Sequence, residues 1–567
     1  MTDQKNLLLA IVLSIAVLFV FQALFPTEPP PPPPPSATDE DGRPAPDAVP
    51  VPMLSVPAAR SEVLAESARF PINPGRDRGR VSGSIALQGL RLDDLTLLGY
   101  MQEVGGSDEI VLLSPAGGPM PYFAEFGWVN AAGGDVGVPD SASIWVAEDG
   151  KRLDAGEPVT FRWTNEVGVE FRQTLELDEN YLFRVTLSVA NPTAEELALH
   201  PFGFVRREEL PDLVGFYILH EGPLGVFNET LEEFDYDDLL GEAPEVFEST
   251  GGWIGITDKY WLTALMPDRT SNVRARFSAS DRPDDGERYQ VDFLGPAMAV
   301  PGGGTATYAT HFFAGAKEVD LLDGYRDALE IPLFDRAVDF GWFYPITKPL
   351  FYVLHWFSGL LGNVGLAILA LTVCVRIALF PLANRSYKAM SRMKKVQPKM
   401  MELRDRYKDD KQKMQQEVME LYRREKANPL SGCLPILLQI PIFFALYKVL
   451  FVTLETRHEP FYLWIRDLSA QDPTTIFNLF GILPFTPPGF LMVGALPLIM
   501  GATMYLQQKL NPTPPDPMQA RIMMALPFVF VFIFAPFPAG LVLYWAWNNL
   551  LSIAQQWVIM RRMDAQT

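Results

Sequence analysis

Five stretches of this chain stay apolar for about 19 residues or longer: 7–25, 361–382, 431–454, 490–508 and 522–559. A helix of that length, rising about 1.5 Å per residue, reaches across the hydrocarbon of a bilayer. The last stretch is too long for one span, and APFPAG at 535–540 supplies a Pro/Gly turn that splits it in two. Six spans are therefore expected. The formal net charge is -21, and most of the acidic surplus falls between the first apolar stretch and the other four. That distribution describes a polytopic α-helical membrane protein with a large soluble domain inserted after its first span.

Lys5 and the α-amino group precede the first stretch, which points the N-terminus to the cytoplasm. The following PTEPPPPPPP offers no small-x-small cleavage site, so residues 1–26 read as an uncleaved anchor rather than a cleaved signal peptide. Pro29–Pro35 begin a linker, 27–64, expected to be extended polyproline and then disordered chain. Over 65–333 short β-rich runs recur between turn residues: 81–92, 159–165, 169–177, 181–191, 253–257, 289–295 and 305–315. Their spacing predicts an antiparallel β-sandwich. It is strongly acidic, as in LEEFDYDDLLGE (231–242), and is expected outside the cytoplasm.

Residues 334–360 form an interfacial segment. Within it, 344–358 reads as an amphipathic helix with Ile346, Leu350, Val353, Leu354 and Phe357 near one face and Lys348 and His355 elsewhere. A short core helix is the alternative. The second span, 361–382, is followed by a polar segment, 383–430. Over 383–429 it carries 14 Lys and Arg against seven Asp and Glu. Met390, Met393, Val396, Met400, Leu403 and Tyr407, then Met414, Val418, Leu421 and Tyr422, recur at helical spacing, and Asp409 and Asp410 are placed to cap a second helix. This predicts a basic helical hairpin in the cytoplasm. Residues 431–567 hold the remaining four spans and a short tail. Lys509, Arg521, Arg561 and Arg562 agree with a cytoplasmic C-terminus.

Catalytic signals are poor. The five histidines sit in no HExxH or Ser/His/Asp context, and neither a Walker loop nor a dinucleotide glycine fingerprint is present. GGG at 302–304 reads as a loop between strands. Cys374 and Cys433 give no disulfide framework and no zinc spacing. No catalytic residue, metal or cofactor is expected, and nothing suggests sequence-specific nucleic-acid binding.

The membrane half is more informative. Arg376 is the charge deep within the second span, where insertion scales put its cost at about 2.5–3.5 kcal/mol. Arg keeps its proton, so it must meet water, a partner or a headgroup. Pro381 follows five residues later. Spacing alone leaves two readings open: a stem that snorkels to the cytoplasmic interface, or a charge at work in a hydrated cavity. Thr372 lies one turn before Arg376, and Gln439, Gln508, Asn548 and Asn549 add polar groups on other spans. Interhelical hydrogen bonding is the bland account of each amide taken singly.

The stretches VDFGWFYPITKPLF (338–351), VRIALFPL (375–382), YKAMSRMKKVQPKM (387–400), KANPLSGCLPILLQIPIFFALY (426–447), LWIRDLSAQDP (463–473) and FPAGLVLYWAWNNLLSIAQQW (537–557) together resemble the YidC/Oxa/Alb family of membrane insertases, in its long Gram-negative form. They cover the C-terminal 230 or so residues nearly continuously. The resemblance implies an inner-membrane insertase and foldase for nascent membrane proteins, acting alone or with the Sec translocon and its accessory subunits. It implies that five C-terminal spans form a hydrophilic groove open to cytoplasm and lipid. It places Arg376 in that groove, links Thr372, Tyr544 and Trp545 to groove integrity, and adds Gln439, Gln508 and Asn548 as polar positions. It makes the hairpin the receiver of substrate. The chain ends soon after Arg562, so any ribosome contact made by a basic tail in some relatives would fall here to the hairpin. Two rivals remain: a secondary transporter that binds an anionic solute through Arg376, and an anchored envelope protein whose sandwich binds glycans. No internal repeat supports the first, and one anchor would suffice for the second.

Overall fold

The computed structural model describes residues 59–564 except 215–218, 283–285, 408–409, 426–433, 481–482, 484, 486, 489–491 and 511–516. The first expected span and the proline run lie outside the described residues.

Two antiparallel sheets face each other. One, of ten strands, runs Arg69–Ile72, Val81–Ala86, Arg91–Met101, Tyr122–Asn130, Leu197–Glu208, Gly286–Leu294, Asn272–Arg282, Glu245–Thr250, with Glu109–Leu113 and Met298–Val300 pairing off this path. The other, of nine strands, runs Thr230–Glu233, Gly222–Phe227, Trp253–Thr257, Trp261–Met266, Thr305–Ala316, Leu182–Ala190, Glu170–Leu177, Val159–Thr164, Val146–Ala147. Period-two patterning decides which face turns inward. In EFRQTLEL, Phe171, Gln173, Leu175 and Leu177 are buried and the intervening residues are not. The run expected as one strand over 81–92 is broken in two. Gly89 and Leu90 both take positive φ, so the chain reverses between Val81–Ala86 and Arg91–Met101, which pair with each other.

The apolar core does not stop at the sandwich. One cluster of buried side chains continues from Phe312 and Phe313 through Phe334 and Phe340 to Phe351, Leu354, Ile368 and Leu371. Phe334 sits edge-on to both Trp253 and Phe313. The sandwich is thereby packed onto the helical half.

That half comprises helices α1 (Val319–Leu329), α2 (Tyr344–Leu361), α3 (Val364–Ala378), α4 (Phe380–Arg406), α5 (Lys411–Arg424), α6 (Leu434–Val452), α7 (Ala495–Leu510), α8 (Pro517–Phe534) and α9 (Ala539–Asp564). Gly362, in the left-handed region, ends α2, and Asn363 caps α3 by accepting from the Leu366 amide. α4 and α5 form the expected hairpin pattern: Asp410 caps α5, and Val396, Met400 and Leu421 are buried between them.

Details of the helical half differ from or add to the sequence reading. On 344–358, Thr347, Phe351 and Leu354 turn toward the protein, while Ile346 and Val353 of the expected apolar face are exposed. Lys348, read as merely off that face, forms ion pairs with Asp323 and Asp335. The segment 361–382 is not one helix, because α3 ends after 15 residues at Ala378 and α4 starts at Phe380 with Pro381 in its first turn. Among the described residues no helix is long and apolar enough to cross a membrane. α3 and α7 are short, at 15 and 16 residues. α9 is long but carries Asn548, Asn549, Gln555 and Gln556.

Candidate functional site

α3 is placed by its neighbours at close range. A Cβ on Gly365 would stand 2.1 Å from the ring of Phe461, so this helix start approaches the loop after α6 only because residue 365 is glycine. Asn363 also donates to the Pro460 carbonyl at 3.0 Å. On α3, Trp547 of α9 donates its indole N–H to the Leu369 carbonyl (3.2 Å). These contacts bring the last turn of α3 against the middle of α9.

There Arg376 is half-buried. Its Nε and Nη2 both donate to Asn548 Oδ1, at 2.9 and 2.6 Å, and Nη2 also reaches the Asn548 carbonyl (3.2 Å) and Ser552 Oγ (2.6 Å). Ser552 in turn donates to the Asn548 carbonyl at 2.7 Å. The guanidinium fork is thus fixed in direction by a side-chain amide and a hydroxyl, neither of which contributes negative charge. The side chain does not simply reach outward, since α9 holds it.

The structure brings Arg376 and Asn548 together and adds Ser552, which the sequence reading missed. The signal was available. Tyr544, Asn548 and Ser552 recur every four residues and so share one face of α9. Thr372 is buried one turn before Arg376, but its hydroxyl donates to the Ile368 carbonyl at 2.6 Å within its own helix. Tyr544 is buried. Trp545 points to a separate aromatic group, 4.9 Å from Phe443 and 5.1 Å from Phe534 between ring centres, and its buried indole N–H has no acceptor among the described residues. Asn549 donates to Thr503 Oγ1 (3.2 Å), and Gln556 to the Leu510 carbonyl (3.1 Å), so both hold α9 to α7. Gln508 is half-buried on α7. Gln439 falls in α6, but its side chain is outside the described residues.

The start of α2 and the end of α6 are tied by charge to α1 and to the chain between α1 and α2. Lys348 donates to Asp323 (2.6 Å) and Asp335 (2.7 Å), and Lys448 to Asp339 (2.6 Å). Burial works to raise the Asp335 carboxyl, but hydrogen bonds from Lys348 and Tyr344 prevail and hold it below the usual range. For Lys348 burial favours the neutral form, yet bonding to Asp323 and Asp335 pushes its pKa above the ordinary lysine value.

Two family models match the chain. One, the YidC periplasmic domain, covers residues 77–353; the other, the 60Kd inner membrane protein, covers 356–566. A Granulibacter bethesdensis protein described as membrane protein insertase YidC is 48% identical, over 99% of this chain and 98% of its own length. A Rickettsia conorii protein of the same description is 49% identical, over 84% of this chain and 85% of its own. Among solved structures, a YidC insertase crystal structure with its first transmembrane domain resolved matches with a TM-score of 0.36 at 20% identity, over 86% of this chain and 94% of that one.

Proposed function

The chain belongs to the YidC family of membrane protein insertases, and from that membership and the Arg376 site we propose how it inserts its substrates. The family is one of inner-membrane proteins with a periplasmic domain, and the sandwich is that domain. The transporter reading finds no relative to support it.

In the proposed mechanism α3 and α9 form part of the wall of a hydrated groove in the cytoplasmic half of the bilayer, with Arg376, Thr372, Tyr544 and Asn548 along it. We count Trp545, Gln508 and Gln439 among the groove positions as well. A polar substrate tail enters the groove without meeting hydrocarbon, and only the remaining half of the bilayer has to be crossed. Arg376 attracts acidic residues of the tail through charge-assisted hydrogen bonds. The membrane potential, about 2.3 kcal/mol per charge per 100 mV, draws negative charge outward. The apolar part of the substrate leaves sideways into lipid. Lowering a barrier this way needs no nucleotide hydrolysis.

The observation that carries this reading is the fixing of the Arg376 fork by Asn548 and Ser552, which holds a permanent charge at a set place between α3 and α9. We assign the chain six spans with both termini cytoplasmic, segmented as 1–26, 27–64, 65–333, 334–360, 361–382, 383–430 and 431–567. In this reading α4 and α5 form the cytoplasmic hairpin that receives nascent membrane proteins and meets the ribosome. The chain acts alone or with the Sec translocon and its accessory subunits. A photoreactive residue at position 372, one turn from Arg376, tests the groove: crosslinks to short nascent membrane proteins are expected during insertion. Crosslinks to lipid alone would refute it.

A further inference from the structure

A cavity of about 560 Å³ lies where the sandwich meets the helices, far in sequence from the α3–α9 site. Its walls come from four places: the turn after strand Arg91–Met101, the start of α1, the middle of α2, and the chain just beyond α6. The charged groups facing it are Glu103 from the turn, Glu318 and Asp320 from α1, His355 from α2, and Glu455, Arg457, His458 and Glu459 from beyond α6.

These charges do not cancel. Glu318 is committed to Arg80 (2.9 Å) and the Tyr100 hydroxyl (2.6 Å). Asp320 stands 3.7 Å from His355. Arg457 lies at the cavity wall but is engaged there: it donates to the Met101 carbonyl at 2.5 Å and lies over the rings of Tyr260 and Trp261. His458 uses its backbone N–H on Asp467. No ion pair among the described residues engages Glu103, Glu455 or Glu459. The sharpest mismatch is Glu455, whose Oε2 is buried and has no hydrogen-bond partner. A buried carboxylate oxygen left without a donor is costly. Burial, with Asp320 and Glu318 adding to it, raises this carboxyl to about 7 against hydrogen bonds from its own backbone N–H and from Thr453. Burial also raises Glu459.

We propose that this cavity is a binding site for an organic cation, an ammonium or guanidinium group that enters beside Glu455 and completes its hydrogen bonding. The group can be carried by a free polyamine or by a basic side chain of a peptide on the extracytoplasmic side. Glu103, from the turn, and Glu459, from beyond α6, supply further attraction. Binding of a cation favours the ionised carboxyl, so uptake at neutral pH releases a proton from Glu455. Affinity is present above pH 7 and falls as pH drops below it. This site does not depend on the groove mechanism.

The test is calorimetric titration of the full-length protein in nanodiscs at low salt. Spermidine, a blocked Ala-Lys-Ala tripeptide and glutarate serve as probes. Both cations, or spermidine alone, are expected to bind and glutarate not; the tripeptide result separates the two sources. Glu455→Gln is expected to weaken spermidine by about tenfold or more and to abolish the proton release, read by repeating the titration at pH 7 in two buffers of different ionisation enthalpy. Should Glu455→Gln fail to fold, Glu103→Gln, at an exposed position, decides by a weaker, salt-sensitive affinity. Absence of cation binding, or unchanged affinity in the variants that fold, overturns the proposal.

Discussion

Replacing Lys348 with methionine removes one ammonium that two carboxylates share. In the folded chain Lys348 Nζ bridges Asp323 and Asp335, and the three side chains are only 12%, 14% and 5% exposed. Breaking a buried pair from one side costs about 3–5 kcal/mol, because the remaining charge has lost both water and partner. Arg326 still reaches Asp323 at 2.9 Å and Asp335 at 3.3 Å, which puts the expected loss near the lower end, about 3 kcal/mol. The damage should concentrate in α1 and the start of α2. Hydrogen exchange reads it there: amides of α1 should open about a hundredfold more often in Lys348→Met than in the wild type. Adding Asp335→Asn removes one of the two carboxylates and should restore at least half of the loss. The wild-type Asp335 carboxyl is held below the usual range. Its contribution is therefore complete above the ordinary carboxylate pKa and is lost as pH falls through the lowered value. A change in α1 exchange of less than about fivefold, or no recovery in the double variant, would refute the claim that this ion cluster ties α2 to α1 and to the turn between them.

Glu125 gives a pH dependence of opposite sign. It is fully buried and its carboxyl is raised to about 7, chiefly by burial, with Arg91 and Arg206 pulling the other way. The folded state then holds a proton that the unfolded chain gives up above about 4.5, so stability should fall as pH rises from there to 7 and level off beyond. Thermal unfolding of Glu125→Gln should show that slope reduced. Gly365→Ala drives a Cβ into the Phe461 ring, and overpacking of this kind costs about 1–3 kcal/mol. Its thermal midpoint should drop, and Phe461→Ala in the same chain should relieve part of the drop.

Local patterning made much of this architecture legible. The alternation in EFRQTLEL and the turn chemistry of APFPAG both translate directly into structure, since α8 ends at Phe534 and α9 starts at Ala539. Strand partners were not legible, because Arg91–Met101 pairs with both a near neighbour and Glu109–Leu113, and only the folded sheet selects among equivalent edges. The burial of Lys348 escaped because its partners, Asp323 and Asp335, lie on elements whose placement the helix's own periodicity does not encode. At the candidate site, Arg376 stood out by its cost in an apolar run, whereas Ser552 looked like an ordinary small residue. Its role depends on the crossing of α3 and α9, which no single segment reveals. Thr372 shows the reverse: it was singled out for position, and its hydroxyl is spent within its own helix.

The central claim is that Arg376 works as a charge. Insertion of nascent chains with acidic tails and with matched neutral tails should be timed in vesicles holding the wild type, Arg376→Lys or Arg376→Ala. A charge-assisted hydrogen bond is worth about 1.5–3 kcal/mol, so Arg376→Ala should slow acidic-tailed substrates by about tenfold or more and neutral-tailed ones much less. Arg376→Lys should fall between, since it keeps the charge but loses the fork that Asn548 and Ser552 orient. Insertion of acidic-tailed chains by Arg376→Ala at the wild-type rate would contradict the account.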